Sequence, residues 1–344
     1  MLELREPEGA FQALESYLES EGFWGRADVV ADLYLGYGLS AAIRRERTPL
    51  PPEPCPLPLL ACAIRPERPA WKAAGSSYEL GGWERSWDDE SYGAAIEAVR
   101  TEIALGNVYQ ANLVQHLSAP FAGDPDALAA SLAPLHPLVS RPFSGRGWAV
   151  VSASPELFLS RRGDRLATMP IKGTRPAGVD VEGSKDAAEH VMIVDLERND
   201  LARVCEPGSV SWPELMASRE LAGVSHLVSR VEGTLRGDAS LAEILAAMFP
   251  GGSITGAPKI AAVDLIASLE PVGRGASMGA LGVLRPDGDF ELALTIRTFA
   301  VAEGHAHFWV GGGIVWDSEP EAEIEESWVK ARPILAAVGG LVHA

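Results

Sequence analysis

Cysteine is scarce: Cys55, Cys62 and Cys205 are the only three in 344 residues. The number is odd and no CxxC pair occurs, which excludes a disulfide framework and a cysteine-rich zinc site. They read as reduced thiols in a cytoplasmic protein. No uncharged apolar run reaches about 18 residues, so no transmembrane helix is expected. Positive charge is short as well. The 29 Lys and Arg stand against 47 Asp and Glu, for a formal net charge of −18. Nucleic acid and anionic membranes both need a basic face, so neither is an expected partner. The stretch from Met1 to Glu8 is acidic and leads into no apolar run, unlike a secretory signal. The Walker phosphate loop and the GxGxxG dinucleotide fingerprint are both missing.

What is present is a globular composition, 47% hydrophobic, with 35 Gly and 25 Pro that imply many tight turns. The length allows about two domains. Residues 1–85 are irregular, with a helix expected only near Phe11–Tyr17. Thr48 to Pro58 is too rich in proline for a helix or a central strand and reads as a linker or extended loop. Residues 86–344 are regular. Helical spacing marks 91–106, 185–205, 241–249, 257–269 and a final acidic helix from Glu319 to about Val338. Strand-like runs mark 106–117, 148–160, 277–285, 289–301 and 305–316. Strand runs mixed with helices argue α+β.

Several clusters can carry chemistry. Asp186 and Glu189 lie three apart on one helix; Glu323, Glu326 and Lys330 recur at three and four on another. Each acidic pair shares a helix face. Two such faces suit a hard cation such as Mg²⁺, although acidic helix faces are also ordinary solvated surface. Lys172 sits in the Pro-bounded run Pro170-Ile-Lys-Gly-Thr-Arg-Pro176, with Glu156 sixteen residues earlier. A carboxyl near a desolvated lysine pairs proton donation with nucleophilic attack; a solvated turn lysine is the plain alternative. Glycine-rich Gly251–Pro258 precedes a helix and Gly311-Gly-Gly313 lies in a strand-like run; backbone N–H groups there can grip a carboxylate or simply turn the chain. Arg297, placed on a strand between apolar neighbours, calls for an anionic partner. His226 is either catalytic or a satisfied core histidine.

Together these segments resemble the chorismate-utilising enzymes. The carriers are Ser152-Ala-Ser-Pro-Glu156, Pro170-Ile-Lys-Gly-Thr174, Glu189 to Asp200, Phe249 to Lys259, Ile296-Arg-Thr298, and Gly311 through Lys330, in that order over roughly 88–340. The resemblance implies a large two-layered sheet and helix sandwich, with 86–344 as the catalytic region and 1–85 as a shortened, divergent N-terminal part. Within the family, anthranilate synthases carry alanine in PIAGT and aminodeoxychorismate synthases carry lysine in PIKGT; this chain has Lys172. Isochorismate and salicylate synthases place a water-activating lysine where this chain has Gln110. The chain is therefore similar to the aminodeoxychorismate synthases, on the route to 4-aminobenzoate and folate.

The resemblance also implies roles. Mg²⁺ bridges Glu189 and Glu326 on the ring carboxylate of chorismate, with Asp186 and Glu323 beside them. Arg297 and the backbone of Gly312 and Gly313 grip the enolpyruvyl carboxylate, and Ser253, Thr255 and Lys330 complete the pocket. Glu156 is the general acid and Lys172 the nucleophile. His226 matches a histidine associated with pyruvate elimination in anthranilate synthases. Ammonia is expected from a separate glutamine amidotransferase subunit, because the chain carries no motif for that nucleophile. Two departures stand out. Ser277 takes the place of a family tyrosine, and the N-terminal part lacks a tryptophan-site signature, so no tryptophan feedback is expected. The alternatives are an anthranilate or isochorismate synthase-like enzyme, or a non-catalytic chorismate-binding subunit.

Overall fold

The computed structural model describes residues 1–46, 48–67, 76–176, 184–221 and 224–339; the side chains of 174–176, 184–188, 220–221 and 224–226 are outside that description. Among these residues the fold is built on two antiparallel sheets. The larger runs in the order Leu2–Leu4, Leu60–Pro66, Val29–Leu35, Ala280–Leu284, Phe290–Leu294, Leu157–Arg162, Arg165–Met169, Val224–Thr234 and Ile171–Pro176, with Ser211–Leu221 also paired to Val224–Thr234. The smaller runs Gly256–Ala257, Gln110–Gly123, His305–Ile314, Thr298–Ala302, Trp148–Ser152 and Phe143–Gly145. Tyr78–Leu80 and Glu84–Arg85 are added to its long strand Gln110–Gly123. Three strands from the first 66 residues thus continue the sheet formed by 157–294.

Alternation along the strands explains the layering, because successive side chains point to opposite faces. Trp148, Val150, Ala300, Ala302 and Trp309 join Phe158, Leu159 and Leu292 of the larger sheet in one core between the sheets. Their neighbours Ala149, Val151, Phe299, Val301, Phe308 and Val310 face the other way. There the helices Pro125–Leu132 and Pro320–Ala337 cover them with Leu128, Leu132, Ile334 and Leu335. The helices Asp89–Ala104 and Lys259–Leu269 pack on Ala111, Leu113 and Ile314. The smaller sheet is therefore buried on both faces, which accounts for its near-continuous apolar strands.

Two expected strands prove to be four. The run 148–160 divides into Trp148–Ser152 in the smaller sheet and Leu157–Arg162 in the larger. The run 289–301 divides likewise into Phe290–Leu294 and Thr298–Ala302. Pro155, which has no N–H to give to a ladder, interrupts the first. Arg297, with φ of 51°, interrupts the second. The two crossings lie side by side: Ala153 N donates to Arg297 O at 2.9 Å, and Leu294 N donates to Glu156 O at 2.9 Å. Arg297 is accordingly in a bend between strands and not on one, as its spacing had implied. Residues 49–58 form no regular element. No helix among the described residues is long and apolar enough to cross a membrane.

Candidate active site

The crossings place Glu156 and Arg297 at the point where the chain passes from one sheet to the other. Glu156 is buried. Its Oε1 accepts Ser253 Oγ–H at 2.9 Å and the Ile171 N–H at 3.4 Å. Burial lifts its carboxyl to about 6, against the pull of Lys172, the two hydrogen bonds and Arg297. Such a group is part protonated near neutral pH, as a general acid must be. Arg297 is half-buried, and its guanidinium makes no hydrogen bond or ion pair with another described residue. Desolvation holds its pKa below the usual arginine value, partly offset by Glu156. An unpaired, desolvated guanidinium is suited to a carboxylate ligand.

Lys172 extends from Ile171–Pro176, opposite Leu227 of the neighbouring strand. Its Nζ is 2.8 Å from Glu189 Oε1 and donates to Ser253 O at 3.2 Å. Desolvation opposes the charge on this lysine, but Glu189, Glu156 and Glu326 outweigh it and leave its pKa above the ordinary value. Reactivity calls for a lowered pKa; here the charge of Glu189, with Glu156 and Glu326, pushes the other way. Glu189 is also reached by Gln110, whose Nε2 donates to the same Oε1 at 2.7 Å. Burial raises the Glu189 carboxyl, yet Lys172, Lys330 and Gln110 overcome this and keep it below the ordinary range.

Facing these residues is the end of His305–Ile314. A Cβ on Gly313 would stand 2.0 Å from Gln110 Nε2 and 2.7 Å from Glu189 Oε1. On Gly312 it would meet Lys330 Nζ at 3.2 Å, Glu323 Oε2 at 3.6 Å and Glu326 Oε1 at 3.8 Å. The two glycines thus clear a space between carboxylates of two helices, Ser184–Ala202 and Pro320–Ala337. Lys330 Nζ donates to Gly311 O at 3.1 Å and pairs with Glu326 Oε1 at 2.8 Å. Glu323 is buried, while the Glu326 side chain is 53% exposed. These hard oxygen donors fit Mg²⁺. Among the described residues no three His, Cys, Asp or Glu cluster as a metal cage, so such an ion would retain water or ligand oxygens, as Mg²⁺ generally does.

Of the remaining sequence candidates, Ser253 joins the site through both its hydroxyl and its carbonyl. Thr255 is buried, and its hydroxyl donates to Gly251 O at 2.9 Å and staples its own turn. Asp186 lies on the Glu189 helix and His226 on the strand beside that of Lys172, opposite Arg219; both side chains are outside the described residues. Ser277 is fully buried, and its Oγ finds no hydrogen-bond partner among the described residues. Sequence reasoning missed the buried carboxyls Glu197 and Asp200, with half-buried Lys259 paired to Asp200, near the Ser253 turn. All three fall inside quoted motifs, but nothing in their spacing shows that 197–200 and 259 meet.

A half-buried guanidinium with no partner among the described residues, a glycine-cleared carboxylate cluster and an acid beside a lysine lie around the crossing of the two sheets. Residues 61–336 match the family model described as chorismate binding enzyme, and the chain belongs to that family. It is 43% identical over 273 residues to anthranilate synthase component 1 of Thermus thermophilus, covering 75% of this chain and 59% of that one. It is 40% identical over 268 residues to aminodeoxychorismate synthase component 1 of Klebsiella aerogenes, covering 74% and 59%. The crystal structure of anthranilate synthase component I from Streptococcus pneumoniae matches with a TM-score of 0.76 at 25% identity, over 88% of this chain and 80% of that one. The chain spans under two thirds of the length of the curated relatives it matches. Relatives named for two different reactions match to a similar degree, so the choice between those reactions rests on the site's chemistry.

Proposed function

We propose that this protein converts chorismate and ammonia to 4-amino-4-deoxychorismate, the amination that leads to 4-aminobenzoate and folate. The observation that carries the reading is Lys172: an amine seated 2.8 Å from Glu189 and hydrogen-bonded to Ser253 O, with the Glu156 acid on the same serine. Arg297 and the Gly312–Gly313 backbone bind the enolpyruvyl carboxylate. Glu189 and Glu326, with Glu323 and Asp186 alongside, would hold Mg²⁺, which when bound neutralises the ring carboxylate and draws electron density from the ring.

An ammonium is no nucleophile, so Lys172 reacts only once its ion pair with Glu189 opens and its proton leaves. A proton passed from Lys172 to Glu156 creates both reactive forms at once. Glu156 then protonates the C4 hydroxyl, which departs as water while Lys172 Nζ bonds to C2. Ammonia next bonds to C4, the C2–N bond breaks, and the lysine is released with the enolpyruvyl group intact. Ammonia is supplied by a separate glutamine amidotransferase, in the cytoplasm. Gln110, which lacks a basic amine, leaves water without a general base and so disfavours isochorismate formation.

The test is to incubate the protein with chorismate, Mg²⁺ and ammonium and identify the product by mass. The expected product retains the enolpyruvyl group, and quenching without ammonia yields an adduct on the Lys172 peptide. Anthranilate with free pyruvate as the main product would overturn this choice of reaction.

A further inference from the structure

Glu197 lies about two turns beyond Glu189 on the helix Ser184–Ala202 and has no part in the chemistry above. It is 2% exposed, an unusual place for a carboxyl. Its Oε1 accepts the Gly252 N–H at 2.9 Å, and its Oε2 is buried with no partner in the described structure. The turn Gly252–Ile254 is seated directly on this helix. A Cβ on Gly252 would stand 2.7 Å from Leu196 Cδ2 and 3.0 Å from Glu197 Oε1, so a larger residue would have to displace both side chains. The next residue is Ser253, whose hydroxyl donates to Glu156 and whose carbonyl accepts from Lys172. Behind Glu197, Lys259 pairs with Asp200 and donates to Met248 O, which closes the base of the loop.

We propose that Glu197 is a positioning residue: by holding the Gly252 amide against the helix it fixes Ser253, and through Ser253 the relative placement of Glu156 and Lys172. The inference rests on the reading that those two residues act on chorismate. Every link is a hydrogen bond of 2.9 to 3.2 Å: Glu197 to Gly252, then Ser253 to Glu156 and to Lys172. Burial raises the Glu197 carboxyl to about 7, with Lys259 opposing and Asp200 adding to the rise. A glutamine, neutral and with an acceptor oxygen in the same place, should therefore replace it. Leucine keeps the volume but offers the Gly252 N–H nothing, and a buried donor left unpaired moves to find a partner.

The experiment is a double-mutant cycle with Glu197→Leu and Ser253→Ala, read as chorismate consumption with Mg²⁺ and ammonium whatever the product, and accompanied by Glu197→Gln. Expected are a fall in kcat of about tenfold or more in Glu197→Leu, KM for chorismate within about twofold, and most of the rate restored in Glu197→Gln. The double variant should be clearly better than the product of the two single penalties, since both variants disturb the Ser253–Glu156 contact while the Ser253 carbonyl that accepts from Lys172 is kept in Ser253→Ala. Independent, multiplying penalties, or a loss carried wholly in KM, would overturn the proposal. A crystal structure of Glu197→Leu, or of Glu197→Gly should the leucine variant misfold, decides the matter without reference to turnover. Ser253 Oγ parted from Glu156 is expected, and an unmoved turn refutes the proposal even if the assigned reaction is correct. Conversely, a different product with the cycle intact would refute the reaction and leave the role of Glu197 standing.

Discussion

At the scale of residues, the site is defined by where its protons and charges sit. Lys172 and Glu189 neutralise each other in a largely buried pair, so removing one partner strands the other. Lys172→Ala should abolish aminodeoxychorismate formation, and any residual turnover should give anthranilate-type product. Liquid chromatography with mass detection checks both, and full activity would remove the covalent route. Glu189→Gln and Glu326→Gln preserve size but delete an anionic ligand. Each should abolish activity at ordinary Mg²⁺ levels, which a magnesium titration of turnover would reveal; wild-type Mg²⁺ dependence would contradict the assignment.

Buried acids also tie stability to pH. Glu156 near 6 and Glu197 near 7 both lie above the ordinary carboxylate value of 4.5. A raised carboxyl contributes stability that is complete below its unfolded value and lost as pH rises through its folded value. The window therefore runs from about pH 4.5 to about 6 for Glu156 and to about 7 for Glu197, with on the order of 2 kcal/mol from the first and 3 kcal/mol from the second. Thermal melts should show the wild type losing stability across that window and Glu197→Gln losing less. Identical slopes would mean that folding leaves the Glu197 carboxyl at its ordinary value.

At the scale of elements, three consecutive glycines in one strand do different work. A Cβ on Gly311 would stand 1.9 Å from the Leu113 carbonyl oxygen, which is backbone and cannot retreat. The clash at Gly313 is with the Gln110 and Glu189 side chains. Gly311→Ala should thus cost the fold, seen as a lowered Tm or insoluble protein. Gly313→Ala should leave the circular dichroism spectrum intact and lose activity, because the added methyl displaces Glu189. Equal loss of Tm in both would show that the strand's packing, and not the site, sets the need for glycine. The Ser253 turn is held with similar economy: Thr255 staples it from within and Glu197 from beneath.

At the scale of the whole molecule, the first 66 residues complete the larger sheet. Val29–Leu35 pairs along the full length of Ala280–Leu284, and Leu60–Pro66 covers its other edge. Leu33, Tyr34, Leu35, Leu60, Ala61 and Cys62 are buried there. The proline-rich segment takes part as well, since Glu53 Oε2 accepts the Gly275 N–H at 3.0 Å. A fragment beginning at Ser76 would expose the edge of Ala280–Leu284 together with that core, and exposed apolar edges aggregate. Such a fragment should be insoluble or lack a cooperative melt; a soluble, cooperatively melting fragment would show that these strands are dispensable.

Local sequence determined the reactive residue types and most helices, because each depends on neighbours within a few positions. The helix at 89–104, the glycine loop before Lys259 and the final acidic helix are all legible from spacing and turn residues. The order of Glu156, Lys172, Glu189, Arg297 and Glu326 along the motifs is enough to carry the resemblance to the family. Tertiary structure alone decided the rest. It sends the two halves of 148–160 and of 289–301 into different sheets, which is what brings Glu156 beside Arg297. It raises the Lys172 pKa, since the charge of a lysine depends on carboxylates far away in sequence. It turns Thr255 inward and sets Glu197 beneath Gly252, a contact across 55 positions that no periodicity encodes. Hydrogen bonds and Coulomb forces act through space, and the chain's local pattern carries no measure of the distances over which the fold makes them act.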